Sequence, residues 1–182
     1  MALSARRRAV IALVLAVLGS VLLLGSSAQA ATGAGRFTGT ARLPSCSGSV
    51  VRWPSALDTD RAVVLSNGHC VRSPFLGARD VLVDEKRWTR IELLGDTGDV
   101  ALNVRAVRLQ YASMYRTDVA VLELRETYAD LAEAGVTPLS LAAEGPSRGD
   151  EIRIPSGYWR EQRACTTTGT AYRLHEREWD WW

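Results

Sequence analysis

The segment that decides the fold of this chain is Val63-Val64-Leu65-Ser66-Asn67-Gly68-His69-Cys70-Val71. Apolar and β-branched residues followed by a turn of small residues favour a short strand that ends at the turn. A histidine and a cysteine then stand side by side directly after the turn. Because imidazole readily exchanges a proton near neutral pH, His69 is a candidate general base.

Two further motifs flank this segment. Upstream, Cys46-Ser47-Gly48-Ser49-Val50-Val51 provides a second cysteine before an apolar run, and downstream, Thr117-Asp118-Val119-Ala120-Val121-Leu122 places an acid at the head of another. An aspartate at the start of a strand is often only a turn cap, and a lone histidine beside a strand is more often structural than catalytic. The order of the three motifs therefore carries more weight than any single one.

Short strand patterns dominate the rest of the chain, which predicts an all-β barrel or sandwich. Strands are predicted at 49–53, 61–66, 81–83, 88–94, 102–111, 119–124, 136–141, 151–154 and 165–174. The charged stretch 84–87 indicates a hairpin turn, and Gly95-Asp96-Thr97-Gly98-Asp99 is a dense turn signal. Apolar residues at helical spacing predict a short helical connector at 127–134 that ends at Gly135.

One strand carries a slip in its alternation. Leu102, Val104 and Ala106 are apolar at a period of two, and from Val107 onward the apolar phase is shifted by one residue. Because a strand's side chains alternate between two faces, such a slip predicts a β-bulge.

In their order along the chain, these motifs resemble the trypsin-like (chymotrypsin-fold) serine protease family, and most of all its bacterial secreted branch. The resemblance rests on Cys46-Ser47-Gly48-Ser49, on the strand that ends in His69-Cys70, and on Asp118-Val119-Ala120-Val121-Leu122, and it covers roughly 40–125. It implies a double β-barrel. We expect a lead-in at 31–44, a complete first barrel at 45–126, the connector at 127–135 and a partial second barrel at 136–182. The last segment is shorter than the roughly 60 to 80 residues that a closed six-stranded barrel needs.

The resemblance also implies a role for each motif. His69 would be the general base, and Asp118 the carboxylate that orients it by accepting a hydrogen bond from its other nitrogen. Cys46 and Cys70 would form a disulfide beside the base, which leaves Cys165 as an unpaired cysteine. Asn67 and Gly68 depart from the family, because small alanines usually stand before its histidine.

The family's nucleophile, a serine in a Gly-Asp-Ser-Gly turn, is missing. The serines that follow Asp118 are Ser140, Ser147 and Ser156. Ser156 precedes a glycine, but Pro155 before it has no N–H to offer an oxyanion, and Ser156 comes too soon after Asp118. We therefore expect the chain to stop before the nucleophile, with the partner of Cys165 beyond Trp182. There is also no Ile-Val-Gly-Gly start of the kind that activates animal members.

The N-terminus has the three parts of a secretory signal peptide, predicted at 1–30. Arg6-Arg7-Arg8 precedes an apolar stretch at 9–24, and Ala28-Gln29-Ala30 closes the segment with small residues that signal peptidase accepts. Cleavage is expected between Ala30 and Ala31, which makes the protein secreted and extracellular. The alternative is an uncleaved anchor, because the apolar stretch approaches the length that spans a bilayer.

The composition of the chain limits the classes of partner and cofactor that we expect it to bind. The 182-residue chain is 47% hydrophobic and 23% charged with a net charge of +2, which fits a globular protein and does not favour nucleic acid. A zinc site at Cys46, His69, Cys70 and Cys165 is disfavoured, because no Cys-x-x-Cys pair exists and an exported chain favours disulfides. We expect no cofactor and no stable membrane association after cleavage. His175 is expected at the surface, and the tryptophans near the end need no function.

Two functions follow from this reasoning. The first is a secreted trypsin-like serine endopeptidase that cleaves peptide or protein substrates with a Ser-His-Asp triad, represented here by a fragment without the nucleophile. The alternative is a non-catalytic, secreted, protease-like binding module. The chain as given is expected to be inactive in either case.

Overall fold

Period-two patterns of apolar and β-branched residues produce strands through most of the chain. The computed structural model describes residues 36–71, 76–77 and 79–171, all within one unit, Ala34–Trp182. The described elements are β1 (Thr40–Arg42), β2 (Ser47–Arg52), β3 (Arg61–Ser66), β4 (Val81–Leu94), β5 (Val100–Ser113), β6 (Val119–Thr127), α1 (Tyr128–Glu133), β7 (Leu139–Ser140), β8 (Glu151–Ser156) and β9 (Glu161–Thr166). The predicted signal segment 1–30, His175 and the final tryptophans lie outside the described residues. The all-β prediction is confirmed.

The first six strands close into a barrel. Their order in the sheet is β1-β4-β5-β6-β3-β2, and β1 pairs with β2 as well as with β4. In β1, Ala41 lies opposite Leu93 of β4 on one side and Gly48 of β2 on the other. Because one short strand joins both ends of the sheet, the barrel leaves no long open edge. β1 falls in the segment predicted as a lead-in, so the barrel begins at Thr40.

The barrel interior is filled by the inward-facing side chains. In β6, Ala120, Leu122 and Leu124 are buried, and the residues between them are only half-buried. The largest apolar side chains that are fully buried are Ile91, Leu93, Leu94, Leu109, Leu124, Leu131, Val50 and Val64. Each such side chain contributes about 1.5–3 kcal/mol to folding, so this core holds the strand ends that carry the site.

The hairpin predicted at 84–87 is wrong. β4 runs without interruption from Val81 to Leu94 and pairs with β5 along its length, with a register shift between Lys86 and Thr89. The charged residues are accommodated because the strand is largely exposed here, and Asp84 adopts a φ of 61°. The Arg108 side chain on β5 also bonds to the Asp84 carboxylate across the pair. The turn predicted at 95–99 does connect β4 to β5.

The predicted bulge is confirmed on β5. Its register against β6 shifts between Ala106 and Arg108, where the apolar phase of the sequence slips. A second shift follows between Leu109 and Tyr111. An extra residue at a bulge bends the strand and increases its twist, which helps a small barrel to close.

The predicted helical connector is also confirmed. α1 begins after Thr127, whose side chain accepts a hydrogen bond from the Asp130 amide while the Asp130 carboxylate accepts one from the Thr127 amide. The helix is followed by Gly135 at a φ of +72°. Tyr128 anchors α1 to the barrel by donating its hydroxyl to the Val51 carbonyl at 2.7 Å. No helix among the described residues is long and apolar enough to cross a membrane.

The chain after α1 contributes few contacts to the barrel. β7 adds two residues in parallel to β2, and β8 and β9 form a separate two-stranded antiparallel sheet. The last strand, predicted at 165–174, overlaps β9 (Glu161–Thr166) only at 165–166, and 167–171 belong to no strand; 172–174 lie outside the described residues. The tip of the β8–β9 hairpin meets the barrel where Gly157 approaches Ala41, so closely that a Cβ there would lie 2.3 Å from the carbonyl oxygen.

Candidate active site

The topology brings His69 and Asp118 together at one end of the barrel. β3 leads into a 3-10 turn, Gly68–Cys70, that carries His69, and Asp118 directly precedes β6. β3 and β6 are antiparallel neighbours with Ser66 opposite Ala120. Because the end of one strand lies beside the start of the other, residues far apart in sequence become neighbours.

Two hydrogen bonds join the two residues. His69 Nδ1 lies 2.6 Å from Asp118 Oδ2, and the His69 backbone N–H donates to Asp118 Oδ1 at 2.9 Å. The carboxylate therefore holds both the ring and the backbone of the same histidine. With Nδ1 directed at a carboxylate oxygen, the favoured neutral tautomer carries its proton on Nδ1.

Gly68 is required by the close approach of β5 to the turn. A Cβ at this position would lie 2.1 Å from the Ser113 carbonyl oxygen and 3.2 Å from Asp118 Oδ1. Backbone atoms cannot yield as a flexible side chain can, so a side chain of any size would displace the turn. Ser113 itself is fully buried, and its hydroxyl exchanges hydrogen bonds with the backbone of Tyr115.

The electrostatic environment keeps Asp118 ionised. Burial is the largest single influence on its carboxyl and raises the pKa. The hydrogen bonds from the His69 amide and ring, the charge of His69 and a hydrogen bond from Asn67 together outweigh burial and hold the pKa of Asp118 below its ordinary value of 3.8. The Asp118 side chain is 21% exposed and that of His69 is 56% exposed, so the ring is open to an incoming group while its carboxylate is covered.

The predicted disulfide is confirmed directly beside the histidine. Cys46 and Cys70 are bonded, with Cα atoms 6.0 Å apart and a sequence separation of 24. Closing a loop of that length stabilises the fold by about 3–4 kcal/mol in the chain-entropy model. The bond ties the turn that carries His69 to the start of β2.

The same sulfur atoms and the His69 ring form the one group of potential metal ligands found among the described residues. The ligand atoms of Cys46, His69 and Cys70 lie within 4.8 Å of one another. A metal thiolate needs a free sulfur, and both sulfurs are held in the disulfide. Cys165 is a free, exposed cysteine on β9 and does not belong to this group.

Within the part of the chain that the structure describes, no serine hydroxyl is hydrogen-bonded to His69. The Ser156 hydroxyl lies 3.1 Å from that of Ser47 and accepts a hydrogen bond from the Trp159 amide. Ser140 and Ser147 are exposed, and the Ser147 amide donates to Asp150 in a turn. The structure thus brings together His69, Asp118 and the disulfide, and none of the residues it describes places a nucleophile beside them.

Sequence reasoning missed one member of the site. Asn67 was noted only as a departure from the small residues expected before the histidine, yet its side-chain amide donates to Asp118 Oδ2 at 3.2 Å. The available signal was the residue type, because an asparagine at a strand end has a side chain that can donate to a nearby carboxylate.

Comparison with known proteins does not assign the chain to a family. No family model, no curated protein and no solved structure matches the chain. A function for this protein therefore depends on the site itself.

Proposed function

We propose that this chain carries the base and the orienting carboxylate of a secreted trypsin-like serine endopeptidase. His69 is the general base and Asp118 its partner. The observation that carries the proposal is the 2.6 Å contact between His69 Nδ1 and Asp118 Oδ2 at the end of a closed barrel. The contact is significant because the carboxylate also holds the histidine backbone, so the ring has one preferred orientation.

The chemistry follows from that orientation. A serine hydroxyl becomes an effective nucleophile when a base removes its proton as it attacks the peptide carbonyl. With its proton on Nδ1, the His69 ring leaves the Nε2 lone pair free to accept the hydroxyl proton. The ring then carries a positive charge beside the Asp118 carboxylate, which remains ionised and stabilises it. His69 then donates the proton to the leaving amine, which leaves the acyl group bonded to the serine. A water molecule, deprotonated by the same ring, hydrolyses that ester, and the proton returns to the serine, so the cycle needs no cofactor.

The proposal requires two parts that the described residues do not place at the site. One is the serine, and the other is the set of N–H donors that stabilises the oxyanion. We propose that both belong to the second barrel, to which β8 and β9 would contribute strands. The chain as given is then expected not to hydrolyse peptides. Peptide turnover by this chain that disappears in His69→Ala would contradict that expectation.

Secretion is part of the same proposal. The signal segment 1–30 lies outside the described residues, so its support comes from the sequence and from the Cys46–Cys70 disulfide, a bond that persists in oxidising compartments. The secreted product should begin at Ala31, which N-terminal mass spectrometry can determine. An unprocessed N-terminus would instead favour the membrane-anchored alternative.

A second candidate is a non-catalytic secreted binding module. Two observations favour it: the site lacks a hydroxyl partner among the described residues, and Trp88 and Trp159 are 70% and 71% exposed, as side chains at interfaces often are. A stable, monomeric secreted product that ends at Trp182 would support this candidate over the protease.

Reading the transcript beyond the codon for Trp182 separates the two candidates. The protease proposal predicts that the frame continues, with a cysteine to pair with Cys165 and a Gly-x-Ser-Gly turn after it. A stop codon at that point would leave the pair of His69 and Asp118 without a nucleophile and would overturn the proposal.

A further inference from the structure

Asn67 makes two contacts with the same residue. Its side-chain nitrogen donates to Asp118 Oδ2 at 3.2 Å and to the Asp118 backbone carbonyl at 3.4 Å. A carboxamide nitrogen has two N–H groups, so both can be directed at Asp118 at once. Asn67 is thereby hydrogen-bonded to both the backbone and the carboxylate of Asp118.

The side chain does not serve the turn to which it belongs. Asn67 is the N-cap of the 3-10 turn Gly68–Cys70, a position at which asparagine commonly accepts a hydrogen bond from the backbone through its side-chain oxygen. Here the side chain makes no capping hydrogen bond. Asn67 therefore does not cap its own turn, and its side-chain amide donates instead to Asp118, directly before β6.

The contact with Oδ2 matters because that oxygen also faces the ring. Asp118 Oδ2 lies 2.6 Å from His69 Nδ1, and Asp118 Oδ1 accepts from the His69 amide. Donors on both oxygens prevent the carboxylate from rotating. Because Asn67 is exposed, a water molecule can replace the energy of its hydrogen bond to Asp118. A mobile water would not fix the direction in which the carboxylate faces.

We propose that Asn67 is a positioning residue, which orients the Asp118 carboxylate so that the neutral His69 ring keeps its proton on Nδ1. This inference rests on the proposed function for its catalytic meaning. In the protease, the orientation would leave Nε2 ready to accept the hydroxyl proton. Asn67 would therefore supply a third donor to the carboxylate from within this barrel.

The test is nitrogen NMR of the 15N-labelled chain, in which the ring shifts distinguish a proton on Nδ1 from one on Nε2. Spectra are recorded at increasing pH until the ring shifts stop changing, and the His175 signals are identified with His175→Gln. The variants are Asn67→Ala, which removes the donors, and Asn67→Asp, which keeps the shape but places a negative charge against Asp118. Asn103→Ala, at an exposed asparagine on β5, is the matched control.

We expect the ratio of the Nδ1–H to the Nε2–H form of His69 to fall roughly two- to five-fold in Asn67→Ala, in line with the loss of one hydrogen bond. Asn67→Asp, which also lacks the donors and repels the Asp118 carboxylate, should change the ratio as well, and Asn103→Ala should leave it unchanged. The urea midpoint of Asn67→Ala should stay close to that of the unmodified chain.

Two results would overturn the inference. One is an unchanged ratio in both Asn67 variants, and the other is a loss of the folded spectrum in both, which would show that the residue holds the turn together. The outcome is independent of the protease proposal. If the complete gene product contained no activated serine, the change in the ring ratio would still stand, and only its catalytic meaning would be lost.

Discussion

Gly68 shows how strongly a single residue constrains the site. Its hypothetical Cβ would lie 2.1 Å from the Ser113 carbonyl oxygen. Gly68→Ala should therefore displace the turn that carries His69 and lower the free energy of unfolding by about 1–3 kcal/mol, as overpacking generally does. Urea unfolding measures the loss. Gly145→Ala is the matched control, because nothing lies within 4 Å of a Cβ at that position; equal stability of the two variants would contradict the geometry described.

The ionisation of Asp118 predicts how stability changes with pH. Its folded pKa lies below the ordinary value of 3.8, because the donors from His69 and Asn67 outweigh burial. A depressed pKa contributes stability that is fully present above about pH 5 and is lost as the pH falls through 3.8 toward the folded pKa. Compared with Asp118→Asn, the unmodified chain should lose its advantage in urea midpoint on acidification. An advantage that is constant with pH would contradict this.

At the residue scale, the sequence predicted which residues meet at the site better than it predicted where their side chains point. The family resemblance pairs His69 with Asp118 and Cys46 with Cys70, and the structure shows that contact and that disulfide. The catalytic roles of His69 and Asp118 stay predictions. The hydrogen bonds of Asn67 were not predicted, because residue spacing does not say whether a side chain caps its own turn or reaches a neighbouring strand. That choice depends on the distance between β3 and β6, which only the folded sheet sets.

At the scale of single elements, α1 depends on its first residue. Thr127 and Asp130 satisfy each other's backbone N–H groups, and α1 has only six residues to share that stabilisation. Thr127→Ala should reduce the free energy of unfolding by about 1 kcal/mol. Chemical denaturation of Thr127→Ala beside Thr59→Ala, a change at an exposed loop threonine, measures the difference. No difference between them would show that the cap contributes nothing.

Elements whose apolar residues recur at a clear period were predicted well. Elements whose position is set by pairing with other strands were not. The alternation of β5 and the shift at its bulge were visible because the buried side chains follow them. The turn predicted at 84–87 failed because charged residues also suit an exposed strand whose neighbour provides a counter-charge. β1 was missed because three residues carry too little pattern, and its place is fixed by pairing with β2 and β4.

At the scale of the whole molecule, the barrel and the β8–β9 sheet differ in how completely they are covered. The barrel has no long open edge, whereas Ile154 on β8 is 51% exposed and Trp159, in the turn between β8 and β9, is 71% exposed. Open strand edges beside exposed apolar side chains favour association. The isolated chain should therefore aggregate at concentrations where Trp159→Arg does not.

Light scattering and size-exclusion chromatography measure this difference. Trp88→Arg is the matched control, because Trp88 is equally exposed but lies on β4 of the barrel. It should aggregate like the unmodified chain. A monomer that unfolds cooperatively and does not aggregate, or an equal benefit from both substitutions, would contradict the prediction.

The closed barrel could be expected from the sequence only through resemblance. Local patterns predict strands, but closure depends on β1 pairing with β4, far along the chain, as well as with the neighbouring β2. The double barrel remains a prediction, since β8 and β9 would supply only two strands of its second barrel. The proposed activity therefore depends on the groups that complete the site around His69.

The most direct test is labelling of the protein encoded by the complete open reading frame with a fluorophosphonate, which reacts only with an activated serine. We expect one labelled serine, loss of labelling in His69→Ala, and a rate lower by roughly 10⁴-fold in Asp118→Asn, as expected when the orienting carboxylate is removed. His175→Ala, the other histidine, should label normally. Absence of labelling in the folded protein, or labelling that survives His69→Ala, would contradict the claim that His69 and Asp118 are the base and carboxylate of a serine protease.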